Sequence, residues 1–404
     1  MRLRNVGIVY RKELIDQLRD RRTLISMIVI PILLFPVLGV GFTALAVKML
    51  KRAQEEGHTV MVLGAEHGPA LTEALGGAEG VRLVEPAADY ASQIIDKNLR
   101  VAVEIPEGFE EQMKTPSGGM PEVKLYHFQG EVRSQLALVT VQNTVQKYRQ
   151  QVIEERLTAR NLDPGLLKPF EAKNENVAPP EKVGGTQLGA FIPYFIIILT
   201  LTGAMYPAMD LTAGEKERGT IETILASAVS RAELVFGKFL MVLTASAVTT
   251  VLSLASFAVT ILFATGAASD ALRQSPQKLT FVISTKAMAA VFFMVLPLAV
   301  TFAAALLAIS LLAKSYKEAQ SYISPLMIVV ILPAIVSLLP GAELNAKLAL
   351  VPVLNVSLVS KEILSGNYPW GMIALIFTSS CAYAAAALFV AVRTFQNESV
   401  LFRT

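Results

Sequence analysis

Six stretches of this chain hold no Asp, Glu, Lys, Arg or His and stay almost continuously apolar: 24–47, 188–209, 239–268, 287–313, 322–342 and 369–392. At about 1.5 Å of rise per residue, each is long enough to cross a hydrocarbon layer roughly 30 Å thick. Backbone exposed to lipid must satisfy its own hydrogen bonds, and a helix is the simplest way to do so. The sequence therefore predicts an α-helical polytopic membrane protein with about six transmembrane helices. Ala44-Leu45-Ala46 mimics a signal-peptidase site, but the first apolar run exceeds the usual h-region of roughly 7–15 residues, so an uncleaved anchor is expected. Tyr368 and Trp370 open the last run as interfacial aromatics.

Charge sets the expected orientation. Residues 1–22 carry seven Lys/Arg against three Asp/Glu, and positively charged flanks of a first span stay in the cytoplasm. Six crossings return the chain to that side, so both termini are expected to be cytoplasmic. The segment 48–187, with 16 Lys/Arg and 20 Asp/Glu, is expected outside. The total charge of +3 on 404 residues gives no basic stripe of the kind a nucleic-acid partner requires. One cysteine, Cys381, rules out an intrachain disulfide, and His58, His67 and His127 make no zinc spacing.

The expected organisation is a leader helix at 1–22, a first span at 23–47, an extracytoplasmic α/β insert at 48–187 and a five-span domain at 188–404. In the insert, Thr59 to Leu63, Val81 to Glu85, Arg100 to Ile105 and Glu122 to Phe128 read as strands. Ala88 to Asn98 and Glu131 to Leu162 read as helices. No nucleophile elbow or His-Glu-x-x-His helix appears there. In the leader, Val6, Tyr10, Leu14 and Leu18 recur every four residues among basic ones, the pattern of an amphipathic helix lying in the membrane interface. Near 343–368, the short apolar stretch Leu348 to Val359, with Pro352 and Asn355, predicts a re-entrant or interfacial hairpin.

Between the second and third spans, 210–238 forms a charged loop bounded by Gly214 and Gly219. It leads into a short helix with Ile221, Ile224, Leu225 and Ala228 on one face. Ser230-Arg-Ala-Glu233 follows as a capping box. An ordinary connector and a docking element for a soluble partner are both open on this pattern. The run Gly214-Glu-Lys-Glu-Arg-Gly-Thr-Ile-Glu-Thr-Ile-Leu, then Ser230-Arg-Ala-Glu-Leu and Gly237-Lys238, resembles the signature of the ABC type-2 exporter permeases, and the likeness extends over nearly the whole chain. Leu339-Pro-Gly341, Pro352-Val-Leu-Asn355 and Lys361 to Gly366 resemble the sodium-exporting NatB type of that family.

The resemblance implies a membrane-spanning subunit in the bacterial plasma membrane, paired with a second permease copy or homologue and with a separate ABC ATPase subunit. Glu215, Glu217, Arg218, Thr220 and Glu222 would then belong to the ATPase-coupling segment. The chain has no Gly-x-x-x-x-Gly-Lys-Ser/Thr loop to cradle phosphates, so no cofactor is expected on it, and ATP and magnesium belong to the partner. The absence of ionisable groups from the apolar runs disfavours a proton-coupled carrier. A sodium pathway needs oxygen ligands. The candidates are Tyr194, Thr200, Thr202, Thr249, Thr250, Ser253 and Thr301, beside helix breaks near Pro193, Pro207 and Pro297. Such hydroxyls also commonly bond their own helix backbone. A drug, lipid or peptide exporter, or a membrane sensor with an external ligand-binding domain, are the alternatives.

Overall fold

The computed structural model describes residues 2–114, 120–163, 189, 191–220, 223, 229–271, 284–339 and 342–397. It divides into two compact units, Met1–Phe42 with Asn176–Thr404, and Thr43–Glu175.

The larger unit is helical. Helix α1 (Leu3–Gln17) is followed by a short α2 (Arg21–Leu24), a π-helical turn (Ile25–Val29) and the long α3 (Ile30–Glu56), which belongs to this unit as far as Phe42. Among the described residues, six helical segments are long and apolar enough to cross a membrane: Arg21–Gly41, Phe191–Glu217, Arg231–Phe263, Thr285–Leu312, Tyr316–Val336 and Trp370–Gln396. The fifth begins six residues before its uncharged run. Ser315 caps it and Glu318 occupies its first turn, so the helix starts in a polar layer before entering the apolar one. Asp20 caps α2 through the amides of Arg22 and Thr23, and Ser284 caps the Thr285 helix.

The smaller unit is a four-stranded sheet with helices on both faces. In chain order it contains β1 (His58–Leu63), α4 (Pro69–Gly76), β2 (Val81–Val84), α5 (Tyr90–Ile95), β3 (Val101–Glu104), α6 (Phe109–Lys114), β4 (Lys124–His127) and α7 (Val132–Ala159). The strand order is β2-β1-β3-β4; β1 runs parallel to both neighbours and β4 antiparallel to β3. Strand alternation sends Val60, Val62, Val101 and Val103 to one face, against Leu71, Leu75, Ala137 and Val141. Met61 and Ala102 point the other way, onto Ile94 and Leu99. Burial on both faces explains why β1 and β3 read as unbroken apolar runs. Helices α4 and α6 fall where the sequence reading placed no element; each is under nine residues, too short for a period to register.

The remaining helices are α8 (Phe191–Met209), α9 (Arg231–Ala271), α10 (Thr285–Leu312), α11 (Tyr316–Val336), α12 (Leu354–Leu364) and α13 (Trp370–Gln396). Helix α10 packs along α13, α8 and α9, while α9 also carries α1. Two glycines set close approaches. A Cβ on Gly203 of α8 would collide with the Thr249 side chain, and one on Gly237 of α9 would lie 2.5 Å from a methyl of Val9. Small residues at crossings are how helices approach without a hydrophobic driving force from water. In the region 343–368, a 3-10 turn (Leu348–Leu350) leads to α12, every residue of which from Leu354 to Ser360 is buried. Val353 before it has φ +73°, an unusual setting for a β-branched residue.

Candidate functional site

Polar groups of the helical unit concentrate at the end of the bundle that carries α1 and the segment after α8. Beyond Met209 the helix widens into a π turn, Asp210–Gly214, and closes with a single α turn, Glu215–Glu217. A π turn inserts a residue into the ladder and often marks a functional position. Here the Asp210 carboxylate accepts from Gln17 Nε2 of the leader at 2.7 Å and pairs with Arg218 at 2.8 Å. The amide oxygen of Gln17 accepts from the Thr23 hydroxyl at 2.9 Å, and that hydroxyl lies 2.7 Å from Asp20. One chain of contacts thus joins the leader, the start of the first span and the end of the second.

A buried ion pair ties in the third span. Lys238 of α9 is 1% exposed and Glu215 is 4% exposed; the ammonium donates to the Glu215 carboxylate and to the Leu211 carbonyl. Both charges are withdrawn from water, so each depends on the other for its stabilisation. At the head of α9 the capping box forms as its sequence pattern requires, with Ser230 N to Glu233 at 3.2 Å and Glu233 N to Ser230 Oγ at 3.4 Å. The same Glu233 carboxylate accepts from the Arg2 amide at 2.5 Å and from Asn5 Nδ2 at 3.0 Å, which pins the leader's other end. Glu217 accepts from the Tyr316 amide at 2.8 Å, reaching the start of α11.

Two cavities open at this belt. One, of about 330 Å³, is lined by Asp20, Arg22, Tyr206, Asp210, Glu217 and Tyr316 among others. Another, of about 320 Å³, is lined by Lys12, Glu13, Asp16, Gln17, Glu215 and Thr220 among others. The hydrogen-bonded Asp210 carboxylate raises the Arg218 pKa above its ordinary value despite partial burial. At Asp20 burial pushes upward, but hydrogen bonds from Thr23 and Arg22 outweigh it and the carboxyl titrates below its usual range.

The expected coupling residues separate by exposure. Glu217, Arg218 and Thr220 lie on the surface, whereas Glu215 is turned inward onto Lys238, which corrects its expected place on a docking surface. The cause is tertiary: Lys238, 23 residues on, lies where only a carboxylate can balance it. Glu222 and most of the expected helix Thr220 to Ala228 lie outside the described residues. The leader's buried face is also rotated from expectation. Val6, Val9, Glu13 and Gln17 are buried while Leu18 is 49% exposed, because α1 lies against α9. Gln17 and Asp210 were not singled out from sequence, and Lys238 entered only as part of the family signature, without a partner. The available signals were Glu13 and Gln17 interrupting an apolar helical face at i, i+4 spacing, and Lys238 abutting an uncharged run.

The candidate pathway hydroxyls also separate. Thr200, Thr249 and Thr250 meet in a buried seam between α8 and α9, with Thr200 and Thr250 hydroxyls 2.8 Å apart and Ser246 donating to the Thr200 carbonyl at 2.9 Å, and Ser253, buried one turn further along α9, donates to the Thr249 carbonyl of its own helix. Thr249 also reaches the Met27 carbonyl of the first span at 3.1 Å. Thr202 and Thr301 bond carbonyls of their own helices. Tyr194 packs its ring edge-on to Phe195.

The family model described as "ABC-2 family transporter protein" matches residues 21–393. The ABC transporter permease protein NatB of Bacillus subtilis (strain 168) is 27% identical over 360 residues, which cover 89% of this chain and 89% of that protein.

Proposed function

The chain belongs to the ABC-2 transporter family, and from that premise we propose that it is the membrane-spanning subunit of an exporter driven by ATP hydrolysis on a separate subunit. ATP and magnesium are bound by that partner. Both termini and the polar belt face the cytoplasm, in keeping with the positive leader, and the α/β unit faces outward.

The observation that carries this reading is that one exposed turn, Glu217 to Thr220, is tied to four helices at once. Arg218 holds Asp210 at the end of α8, Glu217 holds the start of α11, and neighbouring Glu215 holds α9. Through Asp210 and Gln17 the leader α1 joins them. An ATPase that grips this turn pulls on all four, because a buried ion pair and charge-assisted hydrogen bonds link them to it. The purified chain alone should hydrolyse no ATP. A Glu217→Lys, Glu222→Lys double variant should remain in the membrane yet lose affinity for its ATPase and the coupling of hydrolysis to transport. Full transport with unchanged subunit affinity would remove the docking role from this segment.

Sodium is the substrate we propose, supported by the resemblance of the segments around Leu339, Pro352 and Lys361 to the sodium-exporting type. The seam of Thr200, Thr249 and Thr250, with Ser253 one turn further along α9, is its candidate path. Each hydroxyl there gives its proton to a neighbouring oxygen and keeps lone pairs that suit a hard cation. An uncharged site would release the ion readily, as export demands. The seam is closed by the approach of Gly203 to Thr249, so α8 and α9 must part for an ion to pass. Vesicles holding this chain and its ATPase should show ATP-dependent efflux of radioactive sodium. Efflux equal to that of empty vesicles, with a dye or peptide exported instead, would overturn sodium and leave the exporter.

A further inference from the structure

Helix α7 buries one face in the α/β unit, and its opposite face carries a second stripe of uncharged side chains. Ala137 and Val141 are fully buried against the sheet, with Val145 and Tyr148 partly covered. On the opposite side Val132 is 72% exposed, Leu136 43% and Val139 53%. The stripe they begin continues through Asn143, Gln146 and Gln150, all exposed, to Ile153 and Leu157, which are half-buried. The intervals alternate four and three residues without a break from Val132 to Leu157, and none of the eight side chains is charged. A surface stripe meant only for water has no reason to exclude Lys and Glu over 26 residues while its flanks carry Arg133, Lys147, Arg149, Glu154 and Arg156.

We propose that this stripe is a helix-pairing seam, and that its occupant is the same helix of a second copy of this chain, parallel and in register. The spacing specifies a helical partner, since a repeat of three and four is the period at which two helices keep one seam in contact. The sequence specifies a copy of itself. Set in register, Val132, Leu136, Val139, Ile153 and Leu157 each meet their own kind. The amides of Asn143, Gln146 and Gln150 meet amides that can both donate and accept. Polar side chains at the seam fix register in parallel pairs, at a cost in strength. The flanks are complementary as well, because Arg149 falls opposite Glu154 of the second copy and this pair occurs twice by symmetry. Three amide layers make the pairing weak, so it forms when the membrane already holds two copies side by side at high effective concentration. The inference takes the first of the two pairings that the family resemblance implies, a second permease copy rather than a homologue, and it gives the α/β unit the role of joining the pair.

The test uses the full chain with its ATPase in native membranes, in a Cys381→Ser background. Leu136→Cys and Ile153→Cys, each alone, should form a disulfide-linked dimer on mild oxidation, at about tenfold the yield of Glu79→Cys, an exposed position elsewhere on the same unit. Copy number is counted in parallel by mass measurement of the intact complex in lipid nanodiscs. Two copies with neither disulfide above the Glu79→Cys level would overturn the seam and leave the two-copy permease standing. A disulfide only when the two variants are mixed would overturn the parallel register. A complex with one copy would overturn both readings.

Discussion

The two units bury apolar side chains alike but differ in what else they hide and what they leave outside. In the α/β unit the inside is Val, Leu and Ile, and Ser134 is its one fully buried polar residue among those described. In the helical unit Ile196, Leu201, Leu306 and Phe302 are just as buried, but large apolar residues also cover the outside: Val37 is 65% exposed, Leu262 73% and Phe389 63%, as helices facing lipid require. Its interior also collects Ala204, Ala245, Ala303 and Ala304 with Thr200, Ser246 and Thr249, and at one end the charges of Glu13, Glu215 and Lys238. Water drives the first arrangement. In the second, close packing and internal hydrogen bonds must serve, because lipid gives no advantage to hiding a methyl group. The helical unit can therefore hold ionised groups inside only as matched sets, and its stability hinges on single partners in a way that the sheet's does not.

The comparison is broken most sharply at Lys238. Lys238→Met should leave Glu215 buried without its cation and destabilise the helical unit by about 3–5 kcal/mol, while the double change Lys238→Met, Glu215→Met restores most of the loss. Heat-induced unfolding of the detergent-purified chain, followed by circular dichroism, separates the two outcomes; equal loss in both variants would show that the pair is not balanced internally. In the α/β unit, Leu75→Ala removes a side chain with no solvent exposure and should cost about 3 kcal/mol through the cavity left behind. Limited proteolysis should then nick residues 58–159 while the membrane helices stay intact. Cleavage spread equally over both units would contradict their independence.

The smallest effect is expected at Asp20, where the polar belt meets water. Asp20→Ala removes the cap of α2 and should cost about 1 kcal/mol. The native carboxyl has a folded pKa below its ordinary 3.8, so its contribution is complete above that value and disappears as the pH falls through the lower folded value. Melting temperatures of the native chain and Asp20→Ala should therefore differ at neutral pH and converge in acid. A constant gap across that range would show that the cap acts through packing rather than charge.

Much of the architecture was legible because its causes are local. An uncharged apolar run of bilayer length admits few folds, and all four expected strands and both expected helices of the α/β unit appear within a few residues of their predicted places. The candidate site was less legible. Glu215 belonged to a motif rich in exposed charge, and nothing within one turn of it reveals that Lys238 will draw it inward. The leader's period of four marked a helix correctly, but which face is covered depends on α9, whose position no leader residue encodes. The hydroxyls of α8 and α9 were visible as polar points in apolar runs; that Thr200, Thr249 and Thr250 share one seam follows from the crossing at Gly203, which is a property of two helices and not of either.

That Gly237 admits Val9 where a methyl group would not fit has a mechanical meaning. Two helices separated by flexible side chains can move past one another while those side chains absorb the travel. Here the side chain of one lies directly on the backbone of the other, with Glu233 gripping the leader's first residues just beyond. The joint leaves little room for slack, so a displacement of the third span is expected to carry the leader with it.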